Sequence, residues 1–182
     1  HHLTFIAKKR DLLLNGTGGI GTAAASKESD QKLVELYQRQ AADVRAAIAG
    51  MSREQLLARP IEGKWSMQEL IIHLADADTV FAHRLQRILS EDEPKYEAWS
   101  ENRFIERLDY AGQSAEDAVA IIELTHRQIS RILRAQPDGA LDRTGTHSQR
   151  GVQSGRQVLE YATWHITHHL KFAAEKRAKL GL

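Results

Sequence analysis

The sequence has no cysteine. Disulfides, thiolate nucleophiles and cysteine-based zinc knuckles are therefore excluded, and any bound metal must draw on His, Asp, Glu or water. A dominant charge is lacking too: 25 Lys and Arg oppose 24 Asp and Glu, a formal net charge of +1. So small a field recommends neither nucleic acid nor an anionic membrane as a partner. No apolar run approaches the ~18 residues that cross a bilayer, so the expectation is a soluble protein. The 3 prolines, Pro60, Pro94 and Pro137, all fall between periodic segments and not inside them.

What is present is 42% apolar residues in 182, enough for one domain with a sizeable core. Residues 1–31 read as a leader separate from the domain at 32–182. Lys8-Lys9-Arg10, Leu12-Leu13-Leu14 and Ala23-Ala24-Ala25-Ser26 follow the order of a basic region, an apolar region and a small-residue cleavage site. Lys9-Arg10 resembles a degenerate twin-arginine export signal. Asn15 and the glycines interrupt the apolar region, which fits a flexible leader, and His1-His2 fits a tag remnant. A cytoplasmic protein is the expectation, with export as the alternative.

From residue 32 onward the apolar pattern is helical, and no segment shows the alternation of a half-buried strand. Leu33, Leu36, Tyr37, Ala41, Val44, Ala47 and Ile48 form one stripe on a helix predicted over 31–49. Ser52 to Gln55 is a capping box for a short helix ended by Pro60. Ser66 and Glu69 form a second box, with Trp65 and Leu70 as a hydrophobic staple. The stripe that follows reads Leu70, His73, Leu74, Ala77, Phe81, Leu85, Ile88. Residues 91–112 are too aromatic for a bare loop and predict a short helix packed over one end. A third long helix starts near Ser114, with the stripe Ala118, Ile121, Ile122, Thr125, Ile129, Ile132, Leu133. Residues 144–153 read as a polar loop. The last helix starts at Ser154 with Gln157 as its box partner, and its stripe is Val158, Ala162, His165, His169, Phe172. Four such helices predict an all-α four-helix bundle.

His165 and His169, four apart on one helix, put both rings on one face. With 9 histidines in the chain, that spacing arises by chance roughly 0.4 times, so its position on the core stripe matters more than the spacing. His73 stands on the core stripe of another helix. A single buried histidine is more often a satisfied core residue than a ligand, but three on converging faces are accounted for together by one shared cation. Three protein ligands leave a position open for water or substrate, the pattern of a catalytic site. His83 and His168 lie off the stripes, and His126 borders one. His147, in the predicted loop, either reaches the open position or is solvated, and solvation is favoured. Asp76 and Glu69 lie within one turn of His73 and could orient its ring or act as a base. The motif His-Glu-x-x-His is absent, which argues against the common zinc proteases.

The string Trp65-Ser66-Met67-Gln68-Glu69-Leu70-Ile71-Ile72-His73-Leu74-Ala75-Asp76 resembles a signature of the DinB/YfiT-like superfamily. Tyr96-Glu97-Ala98-Trp99 resembles its aromatic connection. Thr146-His147-Ser148-Gln149-Arg150-Gly151 and Trp164-His165-Ile166-Thr167-His168-His169-Leu170 resemble its C-terminal motifs. The resemblance implies a four-helix bundle of up-down-down-up course, often a dimer, with a divalent metal such as zinc or nickel on His73, His165 and His169. It also implies an activity found in some members, thiol S-transfer, in which a low-molecular-weight thiol such as bacillithiol or mycothiol is joined to a small electrophile. A chain without cysteine must take that sulfur from a cosubstrate, and Asp76 and His147 are the expected proton-transfer residues. The alternatives are a non-catalytic metal-binding or damage-response protein and a metal-dependent hydrolase.

Overall fold

The computed structural model describes residues 23–182, with side chains from residue 27. Its helices are α1 (Ala23–Ile48), α2 (Arg53–Leu57), α3 (Met67–Ser90), α4 (Glu101–Arg107), α5 (Ala115–Arg134) and α6 (Gly155–Lys179). The basic and leucine-rich stretches of the proposed leader lie outside the described residues. α1 begins at Ala23 and not at the predicted position 31, so the predicted boundary at 32 falls within a helix. Polar residues on its early turns find partners: Lys27 binds Asp138 beyond α5, and Asp30 meets Arg156 on α6.

Local chemistry sets the helix starts. At Ser52, Ser66 and Ser154 the serine hydroxyl accepts the N–H of the residue three on, and the Gln55, Glu69 or Gln157 side chain accepts the serine N–H in return. Each such cap stabilises its helix by about 1 kcal/mol. Ser114 caps α5 through the Asp117 N–H.

The end-to-end contacts give the course. Lys27 reaches Asp138 and Arg45 reaches Glu116 and Glu123, so α1 and α5 are antiparallel. Arg156 meets Asp30 and Arg177 donates to the Ala47 carbonyl, so α1 and α6 are parallel. Gln68 donates to the carbonyls of Tyr110, Ala111 and Gln113 ahead of α5, so α3 and α5 start at the same end. The result is up-down-down-up, with α1 and α3 each packed on both α5 and α6.

Two apolar clusters fill the bundle. One holds Val44, Ile48, Leu70, Ile71, Leu74 and Ile122 among others, and the second holds Phe81, Leu85, Ile88, Ile129 and Leu159. Between them runs a buried polar layer. Asp78 accepts the Tyr37 hydroxyl at 3.1 Å and faces His126 Nε2 at 3.1 Å, while His126 Nδ1 lies 2.5 Å from the Tyr37 carbonyl. Gln40 donates to Thr163 and Thr167 at the same level. Burial and the Asp78 carboxylate push the Tyr37 phenol well above its ordinary pKa. The predicted α5 stripe needs one correction: Ile121 is exposed and Val119 is buried in its place.

A second correction concerns residues 144–153. They are not a loop but a hairpin of β2 (Thr144–His147) and β3 (Gly151–Ser154), and β1 (Lys95–Tyr96) joins β2 in parallel. Strands this short and rich in Thr, Gly, Gln and Ser carry no apolar alternation to read. Gly145 fits because a Cβ there would stand 2.8 Å from the Tyr96 ring and 3.0 Å from the Pro94 carbonyl. The sheet ties the connection after α3 to the start of α6. The predicted short helix in that connection is α4.

Asp78→Ala leaves the Tyr37 hydroxyl and the His126 ring without their shared acceptor. Urea unfolding of this variant is expected to show a loss of about 2–4 kcal/mol with little change in slope.

Candidate metal centre

The antiparallel packing of α3 on α6 brings His73, near the start of α3, against His165 and His169 in the middle of α6. All three side chains are buried. His165 Nε2 stands 3.2 Å from His73 Nε2 and 3.1 Å from His169 Nε2. Among the described residues this is the group whose donor atoms gather closely enough for a shared ion, all within 4.8 Å.

The donor set fits a divalent cation. A ring nitrogen carries either one proton or one lone pair, so His165 Nε2 cannot make two good hydrogen bonds to neighbouring imidazoles. A cation accepts all three lone pairs at once. Nitrogens bound to one tetrahedral zinc at 2.0–2.1 Å stand about 3.3 Å apart, close to the separations here. Trp65 lies 4.9 Å from the His73 ring, and Trp99 stacks on that ring at 5.9 Å. Phe81 meets the His165 ring edge-on at 5.7 Å. These aromatic walls limit how far the rings can turn.

One side of the centre opens to a cavity of about 270 Å³ lined by residues that include Trp65, Leu70, Glu101, His169, Phe172 and Lys176. Glu101, the first residue of α4, holds a carboxylate oxygen 3.9 Å from His73 Nε2 and is part-exposed. Sequence reasoning missed it. The only signal was its place in an aromatic connection expected to cover one end of the bundle.

The other expected residues stand elsewhere. Asp76 accepts a hydrogen bond from the Tyr110 hydroxyl. Burial raises its carboxyl pKa, partly offset by that bond. Burial and the Asp76 carboxylate also raise the pKa of Tyr110. Glu69 is engaged by Arg59 and by its cap. His147 is buried in β2, not solvated. Its Nδ1 accepts the Gln149 N–H at 3.0 Å and its ring meets Tyr96 edge-on. Burial, with the Arg84 and Arg150 charges, pushes its pKa down to about 4. Neither Asp76 nor His147 belongs to the three-histidine group. His126 serves the polar layer, and His168 stacks on Trp164.

The His147 shift has a definite sign. Its pKa in the fold lies below the unfolded value of about 6.5, so the unfolded chain binds the proton more readily between those limits. Stability therefore falls as pH drops from about 6.5 toward 4. The His147→Gln variant is expected to lose about 1–3 kcal/mol less than the parent over that interval, measured by urea unfolding at stepped pH.

The sequence pattern of the DinB superfamily matches residues 36–173. A protein of Oceanobacillus iheyensis, named as a candidate metal-dependent hydrolase, is 29% identical over 68% of this chain and 71% of its own. YfiT of Bacillus subtilis, of the same designation, is 23% identical over 86% of this chain and 88% of its own. The solved structure of YfiT, described as a probable metal-dependent hydrolase with an unusual four-helix bundle topology, superposes with a TM-score of 0.80. It covers 91% of this chain and 93% of YfiT at 22% identity, a likeness of fold. With the pattern covering most of the bundle, this chain belongs to the DinB superfamily.

Proposed function

We propose that the protein is a metal-dependent enzyme that joins a small thiol to an electrophile, with one divalent ion, zinc or nickel, on Nε2 of His73, His165 and His169. The observation that carries this reading is the convergence of three buried imidazole nitrogens beside a cavity of small-molecule size. A cation bound there would supply a Lewis-acid position that lowers the pKa of a thiol or a water. The protein's own groups do the rest. Trp65, Leu70 and Phe172 give the cavity an apolar wall that favours a soft sulfur compound over bulk water. In this reading Glu101, whose carboxylate oxygen is 3.9 Å from His73 Nε2, takes the thiol proton in place of the expected Asp76 or His147. The sulfur then forms its bond to the electrophilic carbon, and the leaving group departs with the bonding pair.

Hydrolysis is the second reading, favoured by the Glu101 carboxylate 3.9 Å from His73 Nε2, a position from which it could hold a water and accept its proton. The names of the relatives point the same way.

Purified protein is expected to hold about one equivalent of metal by mass spectrometry, and His169→Ala little. Loaded protein should accelerate conjugation of free cysteine to chlorodinitrobenzene, with a rate that saturates in cysteine. Glu101→Gln should keep its metal and lose about a hundredfold in kcat. Hydrolysis of nitrophenyl acetate without thiol dependence would replace the first reading with the second. A metal that only raises Tm, with no turnover in either assay, would overturn both. A parent that binds no metal would overturn the site.

A further inference from the structure

Lys176 lines the same cavity as His169 and Glu101. It is 3% exposed, the burial of a core leucine, although lysine is almost never fully buried unless paired. Among the described residues its ammonium makes no hydrogen bond and no ion pair within 4.0 Å. Of the nearby carboxylates, Glu69 is held by Arg59 and the Ser66 N–H, and Glu175 lines the cavity but is exposed to solvent. Burial, with the neighbouring Lys64, depresses the Lys176 pKa, against the opposing pull of Glu175 and Glu69. An ammonium in a cavity wall without a direct counter-ion is partly stripped of water, and an anion that enters the cavity would stabilise it. Lys64 and Asn102, both on the cavity wall, add a second cation and an amide donor.

We infer that Lys176, with Lys64 and Asn102, forms an anion-binding end of the cavity that takes a carboxylate of the thiol cosubstrate, while its sulfur is presented to the three histidines. This rests on the S-transfer reading and deepens it, naming the cosubstrate class as a thiol that carries a carboxylate. Lys176 is seven residues beyond His169, two turns along the same helix face, so one rigid element carries both ends of the site. Lys176 is a binding residue in this scheme and touches none of the reacting atoms.

The test uses the nickel-loaded protein and the sulfur-to-metal charge-transfer absorption as readout, so it does not depend on turnover. A series of mercaptocarboxylates of increasing chain length is titrated beside mercaptoalcohols of matching length. At one or more lengths the carboxylate thiol is expected to bind about tenfold tighter than its alcohol. Short mercaptocarboxylates chelate metals unaided, so dependence on Lys176 decides: Lys176→Met should bring the ratio near one and Lys176→Arg should restore it. Helical circular dichroism checks that each variant folds, and Lys176→Gln stands in if the Met variant does not. Equal binding of both thiol types by the parent at every length would overturn the anion subsite and leave the S-transfer reading standing. So would a ratio that persists in a folded Lys176→Met or Lys176→Gln variant. Absence of any sulfur absorption would overturn the S-transfer reading and the subsite with it.

Discussion

The seam between α3 and α6 is the contact on which the rest of the structure depends. There three imidazoles leave water together, at a cost that none of them recovers from an apolar neighbour. The arrangement holds only while both helices keep their rotation and register, because a slip of one residue turns a side chain by about 100°. The capping boxes at Ser66 and Ser154 fix where each helix starts. The layer of Tyr37, Asp78, His126, Gln40 and Thr163 then pins the middle of the bundle with directional bonds, which apolar packing alone does not supply.

That polar layer separates two halves with different work. In one, the Phe81, Leu85 and Ile129 cluster packs beneath the small sheet, and Gly145 lets β2 approach the Tyr96 ring. In the other, the three histidines share the interior with the Leu70, Ile71 and Leu74 cluster. The sheet joins the halves. By pairing Tyr96 with His147 it anchors the chain that leads to Trp99 and Glu101, so a ring and a carboxylate stand over the histidine centre without belonging to either long helix.

Much of this was legible beforehand. The stripe through Leu70, His73 and Leu74 and that through Ala162, His165 and His169 stated which residues turn inward, because burial and helical period are written together in the order of residues. The serine boxes stated where three of the helices begin. Other features left no such trace. The β2–β3 hairpin is held by backbone bonds between strands too short for an alternating pattern. Ile121 fitted the α5 stripe as well as Val119 did, and only the angle at which α5 meets its neighbours chose between them.

The sequence by itself determined the long helices, their inward faces and the places of His73, His165 and His169 on those faces, because each follows from residues within a few turns of one another. Only the tertiary structure decided what stands around that centre. Glu101 lies 28 positions from His73 in the chain, and its carboxylate is set near that ring by a connection folded back over the bundle end. Asp76, one turn from His73, is drawn to Tyr110, and His147 into the sheet. Lys176 continues the α6 stripe one turn past Phe172, but whether a lysine there meets solvent, a carboxylate or a cavity depends on the elements packed beside it. Long-range placement sets the dielectric and the partners of a charged group, and local periodicity carries no information on either.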